Sequence, residues 1–305
     1  MLALFPNQVF FTSQTMTETL FTTLFVLSLV LVVRLLLASK PPRLWHLALV
    51  GVALGCASLV RGEAVLLFAV VAPALALRWR SWRTALDYSA VLVLGMALVI
   101  GPWTARNLVR MRAPILISSS ATEALWVGHH EGADGKIADF SVVGQEYVNL
   151  YNPAKEVKTS NEALSEALTF IREHPFQDLQ LIPKKLSVLY KADGSGIRWL
   201  QLTAPTIDPG EANKLSTLGN DYYRVVLALA ILGLPAWFSL RDPGKALLLG
   251  VVVYWTLLFG VVFFGDERFH FPLEPIAALW AGASLVAMGR LLLRRRPGRK
   301  RAQSY

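Results

Sequence analysis

Residues Tyr88–His130 read YSAVLVLGMALVIGPWTARNLVRMRAPILISSSATEALWVGHH. An uncharged run from Tyr88 to Trp103 closes on a Pro-Trp pair, and Arg106, Arg110 and Arg112 follow it at once. A bilayer core about 30 Å thick asks for roughly 20 apolar residues in helical form, so the run reads as a membrane-crossing helix. The tryptophan and the arginines then read as its interfacial end.

The rest of the chain agrees with that solvent. In 305 residues, 54% are hydrophobic and only 17% are charged, which is too apolar for an ordinary soluble domain. Apolar runs recur at Leu20–Leu37, Leu44–Val60, Ala64–Leu77, Tyr88–Trp103, Val225–Leu240, Ala246–Phe264 and Pro272–Leu293. The expected fold is therefore an all-α polytopic membrane protein with about seven transmembrane helices. The run Ala64–Leu77 is short and holds Pro73, so a tilted or re-entrant segment is its alternative.

The formal net charge is +9, yet residues 104–220 carry 12 Lys and Arg against 13 Asp and Glu. The basic excess thus lies beside the apolar runs and in the tail, which suits a topology signal and excludes a nucleic-acid surface. Arg34, Lys40 and Arg43 follow the first run, Arg78, Arg80 and Arg83 the third, and Arg241 and Lys245 the fifth. A cluster from Arg290 to Arg301 follows the last. Alternate connections are basic, which places the C-terminus in the cytoplasm and both the N-terminus and the long central segment outside.

Four regions follow: 1–104 as a first bundle of about four spans, 105–220 as an extracytoplasmic segment, 221–293 as a second bundle of about three spans, and 294–305 as a basic cytoplasmic tail. The exterior segment is expected to be mixed. Ala113–Ser120 reads as a short strand or extended run, Glu131–Lys136 as a Gly-punctuated loop, and Asn161–Glu173 as a helix capped by Ser160 or Asn161. Pro175 breaks it before a second helix, Phe176–Tyr190, strongly apolar apart from Lys184 and Lys185, which suits the membrane surface.

No Gly-rich phosphate loop, histidine metal spacing, GxSxG or HExxH motif is present. Cys56 stands alone in an apolar run, which excludes an internal disulfide and a cysteine metal cluster. No cofactor is evident, and a divalent metal has no support in the sequence. What remains is a set of ionisable groups at span ends that the topology places on one side: Glu18, Arg61 with Glu63, Arg106 with Asn107, and Asp266, Glu267, Arg268 and His270. Ionisable groups at membrane depth pair or line a site. Either they snorkel to headgroups and Arg61 pairs with Glu63, or they converge on a polar cavity whose arginines suit an anionic guest through bidentate phosphate contacts.

Five stretches, in order, carry a resemblance: FPNQVFFTSQTMTETLFTTLF, GCASLVRGEAVLLF, GPWTARNLVRMRAPILISSSATEALWVGHH, REHPFQDLQLIPKKLSVLYKADG and ERFHFPLEPIAALWAG. Together they resemble the later part of membrane glycosyltransferases of the GT-C class, of the protein O-mannosyltransferase-like and aminoarabinose-transferase-like kinds of bacteria (glycosyltransferase family 39 type). The resemblance implies an integral protein of the bacterial plasma membrane among membrane lipids. It would move a hexosyl or pentosyl group from a polyprenyl-phosphate-linked donor to a protein, lipid or glycan acceptor on the outer face. It implies that Arg61, Glu63, Arg106, Asn107, Glu267, Arg268 and His270 serve the lipid phosphate and substrate, with Trp126, His129 and His130 bordering the sugar pocket. Trp126 equally suits an interfacial belt, and the two histidines suit a solvated loop better than a site.

The family's catalytic acids lie in a first outward loop that would precede Met1, so the chain reads as N-terminally truncated and its catalytic residue as unknown. Asp134, near His130, is the substitute candidate. The alternative class is a non-catalytic lipid-binding or transporter-like membrane protein. Reporter fusions after Lys40, Arg83 and Arg301 are expected to report cytoplasm, and fusions near Lys136 and Asp208 the outer side. A cytoplasmic signal at Lys136 overturns this topology.

Overall fold

The structure, a computed structural model, describes residues 1–136, 153–203, 207–237, 239 and 241–294. Within these residues every regular element is helical. The chain runs through α1 (Pro6–Thr12), α2 (Thr17–Leu37), α3 (Leu44–Val60), a 3-10 turn (Gly62–Leu67), α4 (Phe68–Trp79), α5 (Trp82–Met111) and α6 (Ser120–Gly128). It continues through α7 (Pro153–Glu173), α8 (Pro175–Lys191), α9 (Ser195–Thr203), α10 (Pro209–Trp237) and α11 (Pro243–Leu257). A π turn (Leu258–Val262), a 3-10 turn (Glu267–Leu273) and α12 (Glu274–Arg294) complete it.

Among the described residues, five stretches are long and apolar enough to cross a membrane: Thr17–Leu37, Gly62–Trp79, Trp82–Met111, Pro243–Val262 and Glu267–Leu291, with the shorter apolar helix Leu44–Val60 beside them. Large apolar side chains point outward along them, Leu86, Leu94 and Leu98 of α5 being 67%, 68% and 73% exposed. Such outward apolar faces suit helices solvated by lipid rather than water. This is the architecture of a helical membrane protein. The fifth expected run differs in form: α10 starts at Pro209 and is polar in its first half, and the Leu240 end of that run lies outside the described residues, as does the basic tail beyond Arg294. The boundaries read at 104 and 220 fall inside α5 and α10.

Of the short strand or extended run expected at Ala113–Ser120, the strand is not formed. That segment is irregular up to Ser119 because α5 takes up its backbone acceptors. Trp103 Nε1 donates to the Ile117 carbonyl at 2.9 Å, Thr104 Oγ1 to that of Leu116 at 2.8 Å, and Asn107 Nδ2 to those of Ile115 and Ile117 at 3.1 and 3.2 Å. Helix α7 begins at Pro153, earlier than the sequence indicates, and Ser160 is buried inside it rather than capping it. The Ser160 hydroxyl pairs with Thr122 Oγ1 of α6 at 2.7 Å, so tertiary pairing replaces the cap.

Helix α3 packs chiefly on α5, and α10 on α12. The α3–α5 approach is closest where both helices carry glycine. A Cβ on Gly51 would sit 2.2 Å from the Leu92 carbonyl oxygen, and one on Gly95 2.6 Å from that of Ala48. Small residues allow this backbone approach, the usual basis of helix association in lipid, where no hydrophobic force draws helices together. At Gly101 of α5 a Cβ would meet open space. Gly51→Leu and Gly95→Leu are each expected to cost about 1–3 kcal/mol through forced separation of the pair. Gly101→Ala leaves stability unchanged or raises it by up to about 1 kcal/mol. Thermal unfolding in detergent checks both.

Candidate functional site

The N-terminal end of α2, the C-terminal end of α3, the last turns of α5 and the Glu267–Leu273 turn meet at one end of the bundle. The basic connections gather elsewhere: Arg78 donates to the Leu36 and Ala38 carbonyls at the C-terminal end of α2 at 2.7 and 2.5 Å, and Arg80 and Arg241 line one recess. At the first end lies a cavity of about 660 Å³ whose lining includes Glu18, Arg61, Glu63, Arg106, Asn107, Glu156 and Arg268. Three arginines distant in sequence thus reach one space, as the convergent reading requires.

Their states differ. Arg61 is engaged twice: Nη1 lies 3.1 Å from Glu18 Oε1, and Nη2 3.1 Å from Glu63 Oε1. Its guanidinium also lies near the Phe21 and Phe269 rings, 5.8 and 5.5 Å from their centroids. Arg106 is exposed, donates to Asn107 Oδ1 at 3.0 Å and lies 4.7 Å from the centroid of the Trp103 ring. No carboxylate of the described residues pairs with it. Arg268 Nε is 3.6 Å from Asp266 Oδ2, too far for a hydrogen bond, and is buried without a hydrogen-bond partner. Arg106 and Arg268 are therefore the cations available to a guest. Of the three lining carboxylates, Glu18 and Glu63 hold Arg61, and Glu156 accepts from the Ser119 hydroxyl.

An adjoining pocket of about 390 Å³ shares Gly62, Glu63, Ile117, Ser118 and Ser120 with the cavity and is otherwise mainly apolar, with Leu66, Leu258, Phe259 and Phe263 among its walls. A polar chamber beside an apolar one suits an amphiphile.

The other expected site residues lie apart from the cavity. Trp126 donates from Nε1 to Glu166 Oε2 at 2.8 Å and stacks on His130 at 4.3 Å, which ties α6 to α7. Asp134 is on an exposed loop, 3.1 Å from Lys136 Nζ. Glu267 accepts from Arg198 and from the Gly194 amide. His270 is buried against Asp193 and Glu274.

His129 is no solvated loop residue: it is 3% exposed, with Nδ1 2.5 Å from Asp178 Oδ1 and Nε2 3.1 Å from Lys185 Nζ. Lys185 stands between Leu181 and Leu189 on the buried stripe of α8 at i, i+4 spacing, so the helix turns this lysine inward. Asp193, Glu274, Asp178 and Lys185 were not singled out by sequence reasoning. For Glu274 the signal was its i+4 spacing from His270 on a helical turn. Asp193 had none beyond its Gly-bearing KADG turn. Burial holds the Asp193 carboxyl well above its ordinary range.

No protein-family model, curated protein or solved structure matches the chain. The site therefore rests on its own geometry.

Burial pushes the Lys185 ammonium down from 10.5 to about 8, with Asp178 opposing. The unfolded chain then binds more protons than the folded one between those values. The cost of the buried charge is fully present below about pH 8 and is relieved as pH rises toward 10.5. Unfolding measured across that window is expected to show stability rising with pH in the wild type, and Lys185→Met to flatten the rise.

Proposed function

We propose that this chain is the lipid-holding part of a GT-C-type membrane glycosyltransferase, receiving the phosphate of a polyprenyl-phosphate sugar donor in the cavity at the end of the bundle. One observation carries the reading: guanidiniums from three separate segments line one chamber, and two of them, Arg106 and Arg268, have no hydrogen-bonded carboxylate. Guanidinium presents a planar fork of donors that matches phosphate oxygens. The adjoining apolar pocket suits the first units of a prenyl chain, and the outward apolar faces of α5 keep that chamber at membrane depth. Leu44–Val60 and the apolar half of α10 would complete seven crossings, with the cavity on the outer face and the basic connections in the cytoplasm, as in the plasma membrane of a bacterium.

Transfer needs a base within hydrogen-bond reach of the acceptor hydroxyl, a contribution commonly worth about 10² to 10⁴ in rate. The carboxylates that line the chamber are engaged by Arg61 and Ser119, and Asp134 lies outside it. That observation favours a second reading, a membrane protein that binds a lipid phosphate without turning it over.

Arg106→Ala is expected to weaken polyprenyl-phosphate binding about tenfold or more, since a hydrogen bond to a charged group is worth roughly 1.5–3 kcal/mol. Arg106→Lys recovers part of the loss, because lysine keeps the charge without the fork. Unchanged binding in both variants makes Arg106 a headgroup anchor and overturns the proposal. Sugar transfer by residues 1–305 from a polyprenyl-phosphate donor to membrane acceptors overturns the second reading.

A further inference from the structure

Away from that cavity, three ligand-bearing side chains meet in the interior. Asp193 follows α8, His270 lies in the turn before α12, and Glu274 opens α12; all three are buried, at 1% exposure each. One ligand atom from each lies within 4.8 Å of the other two. His270 Nε2 is 3.2 Å from Asp193 Oδ1 and 3.9 Å from Glu274 Oε1.

The lone pairs of this cluster outnumber the donors that reach them. His270 Nδ1 is 2.6 Å from the Leu189 carbonyl oxygen, which only accepts, so Nδ1 carries the ring's proton. The neutral ring then turns the Nε2 lone pair toward two carboxylates that also bring lone pairs. Glu274 Oε1 and Asp193 Oδ2 are buried without a hydrogen-bond partner. No Lys or Arg of the described residues pairs with either acid. A dication balances both acids and takes the Nε2 lone pair as well.

We propose that Asp193, His270 and Glu274 bind one divalent transition-metal ion of the zinc–manganese class. The donor set, one imidazole and two carboxylates, suits such ions. Each ligand is held from behind: the Leu189 carbonyl fixes the imidazole, Asn7 donates to Asp193 Oδ1, and Gln8 Nε2 donates to Glu274 Oε2 at 2.9 Å. Outer partners of this kind orient metal ligands and raise their affinity. Asn7 and Gln8 belong to α1, so the ion would clamp α1, the link between α8 and α9, and the start of α12 to one point. A pocket of about 380 Å³, apolar along Leu227, Ile231 and Leu234, reaches His270 and Glu274. The site is independent of the lipid-phosphate reading.

The test uses the full chain in detergent, purified without a histidine tag, equilibrated with zinc or manganese chloride and freed of excess ion. Elemental analysis is expected to find one ion per chain. Chelation lowers the melting temperature, and zinc restores it. Glu274→Gln keeps shape and removes a charge, and is expected to lower affinity at least tenfold; Gln8→Leu, behind the ligand, lowers it by about 10–100-fold. A wild-type chain that retains neither ion makes the cluster a proton-sharing one and overturns the proposal. Metal content or affinity unchanged in Glu274→Gln overturns it too, by placing the ion on other histidines. If Glu274→Gln does not fold, Gln8→Leu decides on the same two readouts.

Discussion

A guanidinium held between two carboxylates organises one end of this molecule. Arg61 leaves α3 in extended conformation, and its two ion pairs fasten the first turn of α2 to the turn that starts the next crossing. An ionised group surrounded by apolar side chains is costly unless paired. The chain therefore has to bring Glu18, Arg61 and Glu63 together, although they come from separate helix ends. Glu18 also stands in the first turn of α2, where the helix dipole favours a negative charge. Once this knot forms, the ends of α2, α3 and α5 lie close enough to enclose a chamber, and the arginines outside the knot are left to face it.

The walls of that chamber depend on a second constraint, the close approach of α3 and α5. Gly51 and Gly95 let the two backbones touch, which fixes where the end of α5 stands. Trp103, Thr104 and Asn107, on that end, then hold the returning segment by its carbonyls. Extended backbone beside a membrane needs its acceptors satisfied, and here side chains of α5 do so without a strand partner. Arg106 is presented to the chamber by the same turn that pins its rim.

Two buried polar clusters join α6 and α8 to the second half of the bundle. Lys185, His129 and Asp178 tie α8 to α6 and, through the Val261 and Val262 carbonyls, to the π turn after α11. Asp193, His270 and Glu274 tie the end of α8 to α12 and α1. In the first, the Lys185 ammonium reaches His129 Nε2 and the Val261 carbonyl, and such pairing is what makes a buried charge tolerable. That explains why α8 can carry a lysine on its buried stripe.

The apolar runs and their charge-poor lengths already decided that the chain is helical and membrane-embedded, because solvent preference is a local, additive property of side chains. Alternation of basic connections separated the two ends of the bundle for the same reason. The gathering of Arg61, Glu63, Arg106, Asn107 and Arg268 was legible too, since span ends on one side must share a plane. The sequence did not reveal which of these groups are free. Arg61 is neutralised by Glu18, 43 positions away, and only tertiary pairing decides that. The inward turn of Lys185 and His129, the separation of Trp126, His270 and Asp134 from the cavity, and the meeting of Asp193 with Glu274 are likewise products of packing. Each depends on which helix faces lie opposite one another, and side-chain pairing between distant segments leaves no periodic trace along the chain.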